Sequence, residues 1–415
     1  MINLAYAAAI VLGERDLIDH LVTVTYVVSL LSVFVVATRV ILLSRPTDMK
    51  LFDRALIAGG IAGHVGLLIG FAVANAPESF LWVADSYATH LPGAQNIAAA
   101  LQGKEALRDS KGGWDSILFT HLYVGVFFAI FGVKPWVSSL ALLFAKTGTF
   151  AVILALGKRM FNTPTALIAL LTYILMPTIT FYTTTFYKEA LVQLFVALSF
   201  WGLFLLIAEK RYFGLLVLSV GLGLIMIERF YLFPSYAFVL LISIWLSSRE
   251  AKRGLRSVFI LSATVAGIAI FSFIWREIII PSSLLTDLRA FRESFNGYSD
   301  VSREYNGDLI YPLAVIKILL TPFFTLRKFS LYGDFSYLLL WGTFLNHAVI
   351  VGAMWSLFSD FRANIAKHWF LWIPFTFFIL LFAYLAPFSG RQRDSFYPLL
   401  AIYFAALIVK TNGLQ

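Results

Sequence analysis

Residues 188–208 read KEALVQLFVALSFWGLFLLIA. After Lys188 and Glu189 no residue up to Ala208 is charged, and only Gln193 and Ser199 are polar. An uncharged apolar run of about 20 residues, wound as an α-helix at about 1.5 Å per residue, matches the roughly 30 Å hydrocarbon core of a bilayer. Working outward, further runs of this kind fall at about 18–43, 53–75, 115–132, 136–157, 164–182, 211–228, 230–248, 256–275, 336–358, 369–388 and 394–411. The spacing predicts an all-α, polytopic transmembrane bundle of about 10–12 membrane helices, with 1–415 as a single membrane domain.

Composition points the same way. Hydrophobic residues make up 60% of the 415-residue chain and charged residues 13%, against roughly 45–50% and about 25% in soluble domains. That leaves no room for a soluble domain of any size. The net charge of +9 does not call for nucleic acid as a partner, because Lys and Arg collect in short loops, where they act as orientation signals. Zero cysteines exclude disulfides and thiolate metal sites. Met1–Gly13 lacks a basic leader and a clear cleavage site, so no cleaved signal peptide is expected.

Two stretches interrupt the apolar pattern, 76–114 and 276–335. In the first, 84–107 reads as an amphipathic helix with Leu91, Ile97, Ala98 and Leu101 on one face. The second contains 310–328, broken by Pro312, Lys317 and Pro322, which suits a helix lying in the interface. Basic residues cluster at Arg45–Arg54, Arg249–Arg256 and Arg362–Lys367. Placing these in the cytoplasm makes 76–114 and 276–335 the first and second extracytoplasmic loops. It also puts the turns at Lys188–Glu189, Glu228–Arg229 and Gly390–Asp394 on that outer face. Three apolar spans then lie between Trp114 and Lys188, where an even number is needed. Either 115–157 contains a short or re-entrant piece or one basic loop is misplaced.

The chemistry-bearing motifs follow one another from Asp85 onward. They begin with Ala84-Asp85-Ser86-Tyr87-Ala88-Thr89-His90 and a small-residue helix, 96–103, ending in Gly103. Next come Thr120-His121-Leu122-Tyr123, then Phe131-Gly132, and the basic turn Gly157-Lys158-Arg159-Met160-Phe161-Asn162. Met176-Pro177 closes a helix, and Phe186-Tyr187-Lys188-Glu189 opens the next. This ordered set resembles the GT-C glycosyltransferase superfamily, in particular bacterial relatives of protein O-mannosyltransferases and of the lipid A aminoarabinose transferase. Gly390-Arg391-Gln392-Arg393-Asp394-Ser395-Phe396-Tyr397-Pro398 resembles the basic last outer turn of such enzymes, with Asp394 standing where an aromatic residue is usual.

The resemblance implies a GT-C-like fold and transfer of a sugar from a polyprenyl-phosphate donor to a glycan or lipid acceptor of the cell envelope. The setting implied is a bacterial inner membrane with the active site facing outside. Such a transfer needs a carboxylate to take or orient the acceptor's hydroxyl proton, and Asp85 is placed for that. The departing phosphate gains charge and needs cations on the same face; Lys188, Arg229, Arg391 and Arg393 stand at expected outer helix ends. Tyr87, His90, His121 and Glu189 are supporting candidates. No metal is expected to be obligatory, since Lys and Arg can neutralise phosphate; a divalent ion (Mg or Mn) on Asp85, Glu189 and His90 is the alternative. Two other functions fit a polytopic chain: an envelope polysaccharide polymerase or ligase, and a lipid or solute transporter such as a flippase. Transporters tend to show internal repeats and midplane charges, whereas here charges gather at helix ends.

Overall fold

The computed structural model describes residues 90–104, 119–176, 179, 188–229, 232, 236, 319, 336–359, 361–385 and 394–412. Among these residues the chain is all helical, with no strand. The helices are α1 (Leu91–Leu101), α2 (Phe119–Phe131), α3 (Pro135–Met160), α4 (Thr163–Leu175), α5 (Glu189–Leu203), α6 (Phe213–Arg229), α7 (Ser336–Ser359), α8 (Phe361–Leu385) and α9 (Tyr397–Thr411). A π turn, Phe204–Ala208, continues α5. Of the loops expected outside the membrane, only 90–104 and Leu319 fall among the described residues.

Among the described residues, two helical stretches are long and apolar enough to cross a membrane, Val137–Met160 and Glu189–Ala208, with mean hydropathy 1.9 and 2.3. On α7, Phe344, Val351, Trp355 and Phe358 recur at helical spacing and are 55–66% exposed. Water penalises such an apolar stripe and lipid does not.

Local chemistry sets the helix ends. Gly132 takes φ +83° just past α2, and its N–H donates to the Phe128 carbonyl at 2.9 Å. Glycine adopts this left-handed closing position without a Cβ clash. Pro135 then opens α3. Asn162 caps α4, its side-chain oxygen accepting from the Thr165 N–H at 2.9 Å, and Pro164 follows where its missing N–H costs nothing. The motif elements Phe131-Gly132 and Phe161-Asn162 therefore have an architectural role in this chain.

Contacts give the helix directions. α3 and α4 form an antiparallel pair, with Phe150 on Tyr173 and Gly157 against Ala166. α5 runs parallel to α3, since Gly148 meets Leu194 and Arg159 pairs with Glu209 at 3.4 Å. α6 returns antiparallel to α5, with Gly202 opposite Leu218 and Gly221 opposite Ser199. α7 and α9 run with α5, and α8 runs against them. The end where α5 begins, called the upper end, thus also holds the start of α3, the end of α6 and the start of α9.

These directions bear on the stretch between Thr120 and Lys188, where a short piece was one of two expectations. α2 starts at the upper end, where Thr120 meets Glu228, and three residues join it to α3, which also starts there. At 13 residues it is about 20 Å long. α2 therefore begins and ends at the upper end, whereas α3 and α4 run away from it and back; α4 has the same 13 residues, so direction and not length tells the two apart.

Helix α1 packs on α2 through Ala94 and Ile97, which face Gly125. Leu91, Ala94, Ile97 and Ala98 are buried, but Leu101 is 57% exposed. The expected apolar face is corrected there: Leu101 lies a turn beyond the Ile97–Gly125 contact, where the chain turns at Gly103 and Gln102 reaches the Ala129 carbonyl.

The α5–α6 seam is the tightest. A Cβ built on Gly202 would stand 2.5 Å from the backbone nitrogen of Leu218 and 2.7 Å from its Cα, atoms that cannot rotate away. Small residues permit this approach between membrane helices. Gly202→Ala is expected to lower stability in detergent by about 1–3 kcal/mol. Gly148→Ala would meet the flexible Leu194 side chain at 3.0 Å and should cost less. Equal thermal unfolding of both variants and wild type would contradict this packing.

Candidate active site

Five of the residues singled out in the sequence meet at the upper end. Glu189 opens α5 and Arg229 closes α6; the antiparallel packing brings them together, with Arg229 Nη2 donating to Glu189 Oε1 at 2.5 Å. Both side chains are buried, at 4–5% exposure. A buried charge needs a partner, and each supplies the other's. The guanidinium carries five N–H donors in a fixed plane, so this bond orients it.

Lys188 precedes α5, and its ammonium lies 3.4 Å from the Glu228 carbonyl oxygen. It is close enough for its charge to act on the Glu228 carboxylate and on His121. His90, just before α1, and His121, in the first turn of α2, are both buried. Their rings face one another with His90 Nδ1 3.0 Å from His121 Nε2. One ring nitrogen donates and the other accepts, so that contact requires at least one neutral acceptor. A Cβ on Gly93 would lie 2.6 Å from His121 Nδ1; the small residue lets the imidazole lie against α1.

Glu228 was not singled out by any motif. Its Oε1 accepts from both the backbone N–H and the hydroxyl of Thr120, the latter at 3.0 Å. The carboxylate therefore satisfies an orphan N–H at the start of α2 and fastens that helix to α6. What marks Glu228 in the sequence is its place beside Arg229 at the end of a seventeen-residue helix, a signal that no spacing rule distinguishes from an ordinary helix end.

A second polar layer lies one turn deeper, on the same face of α5. Gln193 follows Glu189 by four residues. It accepts from the Tyr173 hydroxyl and donates to the Asp394 carbonyl at 3.1 Å. The Asp394 carboxylate in turn accepts from Asn346 Nδ2 at 3.2 Å. Asp394, at the position where an aromatic residue was expected, is buried at 4% exposure and ties α9 to α5 and α7. Lys146 is fully buried on α3, its ammonium 5.6 Å from the centre of the Tyr173 ring.

Asp85, Tyr87, Arg391 and Arg393 lie outside the described residues. Among the described residues no three His, Cys, Asp or Glu side chains converge as a metal site; Asp85, a member of the expected set, is not among them.

Residues 118–275 match the model of the family described as dolichyl-phosphate-mannose-protein mannosyltransferase. The resemblance carried by the motifs is therefore shown for this segment, which contains Thr120, His121, Lys188, Glu189, Glu228 and Arg229. The chain is also similar to the crystal structure of ArnT from Cupriavidus metallidurans in the apo state, at 12% identity and a TM-score of 0.48. That alignment covers 85% of this chain and 61% of the other, so the chain spans less than two thirds of its length. No curated protein matches the sequence.

Proposed function

We propose that this chain is an integral membrane glycosyltransferase of the GT-C type. It moves a sugar from a polyprenyl-phosphate-linked donor to a glycan or lipid acceptor of the cell envelope, on the extracytoplasmic face. The observation that carries the reading is the meeting of Lys188 and Arg229 with two buried carboxylates, Glu189 and Glu228, inside the segment that matches the mannosyltransferase family. Lys158, Arg159, Lys210 and Arg211 gather at the opposite end of the helices. The rule that cytoplasmic ends carry the excess of Lys and Arg supports an upper end that faces outside.

In the proposed step the acceptor hydroxyl gives its proton to Asp85 as its oxygen forms the new bond to the anomeric carbon. The bond from that carbon to the phosphate oxygen breaks, and its electron pair leaves with polyprenyl phosphate. Lys188 and Arg229 meet the growing phosphate charge, joined by Arg391 and Arg393 from the last outer turn. Glu189 holds the Arg229 plane, with Tyr87, His90 and His121 as supporting residues. No metal is obligatory in this scheme; Mg or Mn on Asp85, Glu189 and His90 is the alternative.

A second reading, transport of a lipid or solute, has one observation in its favour. Lys146 is an ionisable group fully buried inside a helix long enough to cross a membrane, and such residues often mark translocation paths.

The test uses purified protein in nanodiscs, supplied with polyprenyl-phosphate sugars and crude envelope acceptor, with and without EDTA. Release of polyprenyl phosphate, unaffected by EDTA, is the expected result. Loss of release on chelation, restored by Mg or Mn, would install the metal. No release from any donor by well-folded protein would discard the transferase and favour transport.

A further inference from the structure

The two oxygens of the Glu228 carboxylate have different surroundings. Oε1 is held by the Thr120 N–H and hydroxyl. Oε2 is buried and has no hydrogen-bond partner among the described residues, on a side chain only 3% exposed. Folded proteins pair nearly all buried polar atoms, and an exception calls for an explanation such as a ligand site. Lys188 and Arg229 lie near enough for their charges to act on this carboxylate, so the open acceptor belongs to the cluster that would receive the donor phosphate.

The chemistry of Oε2 selects the ligand group. An ionised phosphate offers only acceptors and is repelled by a carboxylate, so it cannot pair with Oε2. A hydroxyl can donate to it. In a sugar phosphate the hydroxyl on the carbon next to the anomeric one is a few bonds from the phosphate, so cations that hold the one bring the other within reach of a neighbouring carboxylate. We infer that Glu228 Oε2 accepts a hydroxyl of the donor's sugar, which makes Glu228 a residue that selects the sugar rather than the lipid phosphate. This rests on the donor reading above.

The competing account is that Glu228 serves only to fasten α2 to α6. Glu228→Gln separates the two, because its amide carbonyl can still accept from both Thr120 groups while an NH2 donor replaces Oε2. Binding to the full-length protein in detergent would be measured by native mass spectrometry. The probes are polyprenyl-phosphate mannose, glucose and galactose, and the same polyprenyl phosphate without sugar. Glu228→Gln is expected to weaken the best-bound sugar-bearing lipid about tenfold or more, to leave the sugarless lipid within about twofold, and to keep the wild-type unfolding temperature. Thr120→Val, which removes one bond to Oε1 and leaves Oε2, should not change the preference between the two lipids. Equal weakening of both lipids in Glu228→Gln, or of neither, would overturn the inference. A wild-type protein that binds the sugarless lipid and no sugar-bearing one would also overturn it. Wild type that binds neither would show that the donor reading itself fails, and the inference with it.

Discussion

Glu189→Ala is expected to destabilise the protein by about 3–5 kcal/mol, because it removes the carboxylate to which the buried, charged Arg229 donates. Both side chains are about 95% covered, so solvent cannot take over the lost bond. Glu228 lies close enough to Arg229 to interact with it, which places the expected cost near the lower end of that range. The double replacement Glu189→Leu with Arg229→Met removes both charges and should recover most of the loss, since a well-packed apolar pair often equals a buried ion pair in stability. Thermal unfolding in detergent of Glu189→Leu, Arg229→Met and the double closes the cycle. If Glu189→Ala unfolds like wild type, the pair does not hold the upper end together. The double variant also separates stability from function: a folded protein without Arg229 is expected to have lost donor turnover, and retention of turnover would remove Arg229 from the phosphate site.

Asp85→Asn is expected to slow release of polyprenyl phosphate by about 10²–10⁴-fold, the usual contribution of a positioned acid–base group. The amide is nearly isosteric with the carboxylate but cannot accept the acceptor's proton. Donor binding, which the cations dominate, should change little, so the loss should fall on the turnover number and not on the Michaelis constant for the donor. Equal release by both proteins would keep the transferase and discard Asp85 as its base. A loss confined to binding would make Asp85 a donor contact instead.

Parts of this picture were legible in the residues because they depend on local rules. The span that begins at Glu189 followed from its uncharged run, and the end of α2 followed from Phe131-Gly132, where only a residue tolerant of positive φ closes the helix comfortably. Lys188, Glu189 and Arg229 could be named because each stands at the edge of an apolar run, where a charge needs a reason. Other features were not legible. Arg229 pairs with Glu189 across 40 residues and His90 with His121 across 31, and no periodicity links positions on different helices. Glu228 read as an ordinary helix end because its partner, Thr120, lies 108 residues earlier. Asp394 looked like a departure from a motif; its burial against Gln193 and Asn346 explains why a polar residue sits there.

Among the described residues, the amino-acid sequence by itself determined that the segments are helical and apolar, about where most of the helices begin and end, and which charges at helix edges deserved notice. These depend on hydrophobic period, backbone sterics and the cost of charge in hydrocarbon, all set within one or two turns. Only the tertiary structure decided that α2 begins and ends at one end of the helices, that Glu228 lies with Lys188 and Arg229, and which charges neutralise one another. Those outcomes depend on how antiparallel helices register against each other. Register is set by side-chain packing at seams such as Gly202 on Leu218, which involves residues far apart in the chain.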